Sequence, residues 1–159
     1  MDRTMLALAG CALLALANVS ASDQWPQFRG TDAGSVADDP ALPDSWSETE
    51  NIAWKTDIPG FGWSSPVVWN DHIFVTAALS GGPETPPVKG LYSGNPDHAT
   101  TKPAAVHRLI VYDVDFNTGN IRWQRELRST LPPILRHIKN SYASETPVTD
   151  GERVYVSFG

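Results

Sequence analysis

The sequence predicts an all-β protein built from repeated units of four antiparallel strands. The prediction rests on a long repeat, a shorter repeat around it, and the absence of helical periodicity. Pro66-Val-Val-Trp-Asn-Asp-His-Ile-Phe-Val-Thr76 returns without a gap as Pro147-Val-Thr-Asp-Gly-Glu-Arg-Val-Tyr-Val-Ser157, an offset of 147 − 66 = 81 residues. Ile52-Ala-Trp54-Lys-Thr-Asp-Ile58 is echoed by Ile121-Arg-Trp123-Gln-Arg-Glu-Leu127. After residue 21 no segment carries the apolar period of an amphipathic helix, whereas several alternate with period two. Short strands repeated in fixed order mark one supersecondary unit copied along a chain.

The first 21 residues read as a secretory signal. Arg3 sits in a short basic region, Met5 to Ala17 is apolar, and Val19-Ser-Ala21 offers small residues before a cut at Ser22. The apolar run is shorter than the ~20 residues that span a bilayer. A retained anchor helix is the alternative. Leu8-Ala-Gly-Cys11 resembles a lipobox, so lipidation at Cys11 is a second way for the chain to meet a membrane. The expected location is periplasmic or extracellular. Cys11 is the only cysteine. The part after the signal therefore draws its stability from packing and holds no Cys nucleophile or Cys-ligated metal. The net charge is −6 and the basic residues are scattered, which argues against nucleic acid as a partner. The closest grouping, Arg122, Arg125 and Arg128 around Glu126, reads as solvated charge.

Residues 22–51 form an irregular leader, punctuated by Pro and Gly and anchored by Trp25, Phe28 and Trp46. Its aromatics predict packing on a domain, since a disordered linker is poor in them. Ile52 to Ile58 alternates and predicts a strand. Pro59 to Gly62 is a turn, Ser65 to Val68 a short strand, Trp69 to His72 a hairpin turn, and Ile73 to Leu79 a buried strand. Residues 80–106 are a long Gly/Pro-rich insert, a length that is unusual inside a compact domain and often functional. Arg108 to Val114 and Ile121 to Leu127 are strands joined by the Asp115 to Gly119 turn, where glycine takes a positive φ without strain. Residues 128–146 are irregular. Pro147 to Thr149 and Arg153 to Phe158 begin the next unit.

Asp115-Phe-Asn-Thr118-Gly119-Asn-Ile-Arg-Trp123 resembles the Asp-x-x-Thr-Gly-x-x-x-Trp core of quinoprotein-like (PQQ-like) β-propeller repeats. Trp54 matches the same Trp in the preceding unit, and Asp113 stands where the repeat usually has Ala. Trp25-Pro-Gln-Phe-Arg-Gly30, Gly62-Trp-Ser-Ser-Pro66 and Asn140-Ser-Tyr-Ala-Ser144 are similar to the secreted bacterial members of this group. The resemblance implies a β-propeller of four-stranded antiparallel blades, with Asp115, Thr118, Gly119, Trp123 and Trp54 as its structural motif. Two to three blades fit in the chain, which reads as an N-terminal fragment of a ring that commonly has about 4–8 blades. Open, aggregation-prone strand edges are then expected.

No catalytic, cofactor or metal residues stand out. Asp113-x-Asp115-x-Asn117 imitates the start of an EF-hand, but Thr118 and Gln124 occupy positions that need Gly and Glu, so a hairpin turn is expected. His72, His98, His107 and His137 lack ligand spacing. Ser64, Ser65 and Ser141 lack a nucleophile-elbow context, and Gly60-Phe-Gly62 precedes a strand, so it is no phosphate loop. The resemblance implies an exported repeat protein that binds or scaffolds an unknown protein or extracellular ligand. The alternative is part of a dehydrogenase that oxidises an alcohol or sugar with pyrroloquinoline quinone and calcium. A glycan-binding role would rest on the Trp content alone.

Overall fold

The computed structural model describes residues 24–31, 34, 43–83 and 100–159. The signal, Cys11, part of the leader, and residues 84–99 of the insert with His98 lie outside these residues. The described residues are all-β, with antiparallel sheets and no helix.

The main sheet is built from β1 (Val67–Trp69), β2 (His72–Ser80), β4 (His107–Asp115) and β5 (Ile121–Thr130), in the order β1-β2-β4-β5. Between β2 and β4, β3 (Thr100–Thr101) leaves this sheet and pairs with β6 (Arg136–His137). Both hairpin turns have a local cause. At the β1–β2 turn Asn70 holds φ 53°, a left-handed conformation that Asn tolerates better than most residues. Gln24 clamps the turn, donating to Asn70 Oδ1 at 3.2 Å and accepting from its amide at 2.6 Å. At the β4–β5 turn the Asp115 carboxylate accepts from the amides of Asn117 (3.0 Å) and Thr118 (2.8 Å) and from the Thr118 hydroxyl (3.0 Å). The Gly119 amide donates to the Asp115 carbonyl at 2.8 Å, with φ 74°.

Both faces of the central strands β2 and β4 are covered, which is why β4 reads as a nearly continuous apolar run, while β5 is exposed along most of its length. Ala77, Ile110, Tyr112 and Val114 form one buried cluster, closed over by Trp54 and Ile58. Tyr112 is buried up to its hydroxyl, which donates to the Pro59 carbonyl at 3.2 Å, and burial pushes its phenol pKa up. Ala78 and Leu109 lie on the opposite face with Tyr142, Ala143 and Phe158.

The strand expected over Ile52 to Ile58 does not form, and this corrects the sequence reading. The alternation is real, but side chains anchor the segment and no ladder does. Trp54 Nε1 donates to the Phe116 carbonyl at 2.9 Å, and the Thr56 hydroxyl to the Gly119 carbonyl at 2.5 Å.

The long repeat is a repeat of geometry. β7 (Val148–Thr149) and β8 (Val154–Tyr155) pair as Val148↔Tyr155 and Thr149↔Val154. Shifted by the 81-residue offset, these are the pairs Val67↔Phe74 and Val68↔Ile73 of the first hairpin. Gly151, with φ 90°, occupies the turn position of Asn70. The leader straps the two copies together. Trp25 exchanges backbone bonds with Val68 (2.9 and 2.8 Å), and the amide of Thr149, the counterpart of Val68, donates to the Pro26 carbonyl at 2.9 Å. Lower down, the Ser65 amide donates to the hydroxyl of its own counterpart, Thr146, at 3.0 Å.

Candidate binding cleft

Where the sheet faces the β7–β8 hairpin, a cleft of about 190 Å³ remains. His72, Phe74, Asp113 and Trp123 line the sheet side, and the turn around Gly151 lines the other. Strand alternation puts Phe74 and Asp113 on the same face, since they are direct partners in the ladder, and Trp123 pairs with Asp113 from β5.

A β-bulge assembles the polar part. The β4–β5 register shifts between Asp113↔Trp123 and Val114↔Ile121, leaving Arg122 as the extra residue. A bulge re-aims the side chain that it releases. Arg122 turns toward the hairpin ends, where it donates through Nε to Asp115 Oδ2 at 3.0 Å and through Nη2 to Asp71 and Asp115. The Arg122 hydrogen bond, helped by the Thr118 donors, lowers the Asp115 pKa to about 2. The same guanidinium lowers that of Asp71, and both carboxylates raise that of Arg122.

Arg122 also orients His72. Its Nη1 lies 3.1 Å from His72 Nε2, and His72 Nδ1 lies 2.8 Å from Asp113 Oδ2. The same Nη1 lies 3.4 Å from His72 Nδ1, so the guanidinium sits against the imidazole ring and not in line with one nitrogen. Asp113 is 0% exposed, and its Oδ1 is buried with no hydrogen-bond partner. Such orphaned oxygens are rare because their lost hydration is not returned. The aromatic lining is angular. The Phe74 ring stacks on His72 at 5.8 Å and 9°, and meets Trp123 at 6.1 Å and 41°.

The motif residues fall in two places. Asp115, Thr118 and Gly119 form the β4–β5 turn, and Trp54 seats on it: a Cβ on Gly119 would lie 2.5 Å from the Trp54 ring. Trp123 stands apart in the cleft, 42% exposed. Trp69 repeats the first arrangement, since a Cβ on Gly151 would lie 2.5 Å from its indole. Sequence reasoning did not assemble His72, Asp113 and Arg122 into a group. The available signal was Asp113, a carboxylate inside the otherwise apolar run of β4. Arg122 lies on the exposed strand β5, as a solvated charge would, and is in addition ion-paired with Asp71 and Asp115.

These carboxylates do not fit a calcium site. Oxygens of Asp71, Asp115 and Asp113 are engaged by Arg122 or His72, and among the described residues no three His, Cys, Asp or Glu side chains gather as metal ligands. Chemically, the cleft offers one buried acceptor, angled aromatic walls and a partly exposed histidine paired with Asp113. Compared with protein-family models, curated proteins and solved structures, the chain shows no match.

Proposed function

We propose that this chain is an exported β-propeller repeat protein of the quinoprotein-like type, with a binding or scaffolding role. The reading is carried by the two hairpins of identical register 81 residues apart, held side by side by the Trp25-Pro26 strap. The four-stranded meander has the form of one blade, and the second hairpin has the form of the start of the next. The seating of Trp54 on the Asp115 to Gly119 turn supports the same reading. Binding is favoured because the cleft holds an unpartnered buried acceptor beside aromatic walls, an arrangement that suits a ligand.

The test has two arms on the full-length exported protein. Electron microscopy is expected to show a ring of blades, and an open strand stack would overturn the architecture. Pyrroloquinoline quinone and Ca²⁺ are then added with alcohols or glucose and an electron-accepting dye. No dye reduction is expected, and turnover with stoichiometric quinone would overturn the binding role.

A further inference from the structure

We propose that the cleft between the main sheet and the β7–β8 hairpin binds a small organic ammonium ion, paired with Asp113 and flanked by Phe74 and Trp123. The inference rests on reading the chain as a binding protein. The orphaned Asp113 Oδ1 is an acceptor in need of a donor. Among the described residues no neighbouring cation serves that oxygen. His72 serves only Oδ2, and Arg122 is held by Asp71 and Asp115 and lies against the His72 ring. On the hairpin side Arg153 and Glu152 both line the cleft, 3.9 Å apart and largely exposed, so the Glu152 carboxylate offsets the guanidinium there.

The ring geometry favours a cation over a sugar. A pyranose stacks on a flat, open ring, whereas Phe74 and Trp123 meet at 41° and form a corner. A cation in such a corner is attracted by the ring faces while its N–H reaches a carboxylate. The volume of about 190 Å³ equals roughly six waters at ~30 Å³ each, enough for a headgroup and too little for a chain of sugars. Trp123, which pairs with Asp113 across the bulged ladder and is 42% exposed, is the neighbour able to swing and admit the ligand.

The experiment titrates the full-length protein with trimethylammonium and follows the indole N–H resonance of Trp123, assigned through Trp123→Phe. A saturable shift is expected, weakened about tenfold or more in Asp113→Asn and reduced by high salt. tert-Butanol has the same shape without the charge and is expected to give no comparable shift. The proposal is overturned by the absence of a saturable shift, by equal affinity for tert-butanol, or by unchanged affinity in a folded Asp113→Asn variant. Should that variant fail to fold, Trp123→Leu replaces it, read by intrinsic fluorescence, and unchanged affinity there overturns the proposal equally. A shift with methyl glucoside but not with trimethylammonium overturns the ammonium while leaving a binding protein. Quinone-dependent turnover removes the binding role itself.

Discussion

The indole of Trp54 lies against the α-carbon of Gly119, so close that a single methyl group there would sit 2.5 Å from two ring carbons. Gly119 also holds φ 74°, a conformation that side chains avoid. Gly119→Ala is therefore expected to cost about 2–4 kcal/mol, from backbone strain and the displaced ring together. Urea denaturation measures it. In a double-mutant cycle, Trp54→Ala should recover the part owed to the ring and leave the part owed to φ; strict additivity would mean that the ring is not the obstacle.

Acid should loosen the hairpin ends through Arg122. The folded pKa of Asp115 is about 2, below its ordinary 3.8, and that of Asp71 is also lowered. A depressed carboxylate pKa contributes stability that is complete above the unfolded value and is lost as pH falls through the folded one. The melting temperature is thus expected to drop between about pH 4 and pH 2. Arg122→Gln should flatten that drop. A variant with the same pH slope as the parent would place the acid sensitivity elsewhere.

Removing either member of the His72–Asp113 pair should have opposite effects. Asp113→Ala deletes a buried carboxylate and its orphaned oxygen, while His72, 38% exposed, can turn to water. Its effect is expected to lie between neutral and a gain of about 1 kcal/mol. His72→Ala leaves the carboxylate buried with no donor and should cost about 2–3 kcal/mol. Thermal melts of the two variants decide the matter, and a destabilised Asp113→Ala with an unaffected His72→Ala would reverse the assignment.

The leader strap should be visible in amide exchange. Deleting residues 22–31 removes the carbonyls that hold the Val68 and Thr149 amides. Both are expected to lose protection together, while the amides of the β2–β4 ladder keep theirs. Continued protection of Thr149 after the deletion would show that the second hairpin needs no strap.

What the sequence revealed was local. Two-residue turns, a Pro ahead of each hairpin and the Asp-x-x-Thr-Gly turn can all be read within a dozen residues, because each is satisfied by neighbours in the chain. Ile52 to Ile58 misled because alternation reports which side chains are buried but not whether a strand lies alongside to bond. The 80–106 and 128–146 connections hid β3 and β6, whose pairs, Thr100↔His137 and Thr101↔Arg136, join distant residues of no strand-like pattern. The cleft was out of reach for the same reason. A bulge sets the aim of Arg122, and only the folded ladder brings it to His72, which lies 50 positions earlier.

The two hairpin turns also differ in what each will accept by substitution. At position 70 the chain needs a residue that tolerates a left-handed backbone, and a side chain there is useful because Gln24 holds it. At position 151 the same backbone is needed, but the indole of Trp69 fills the space where any side chain would begin. Position 70 is therefore open to Asp and Gly as well as Asn, whereas position 151 is restricted to Gly for as long as Trp69 remains. Two copies of one turn can drift apart letter by letter and keep one shape, and the freedom of each to drift is set by the ring that happens to lie beside it.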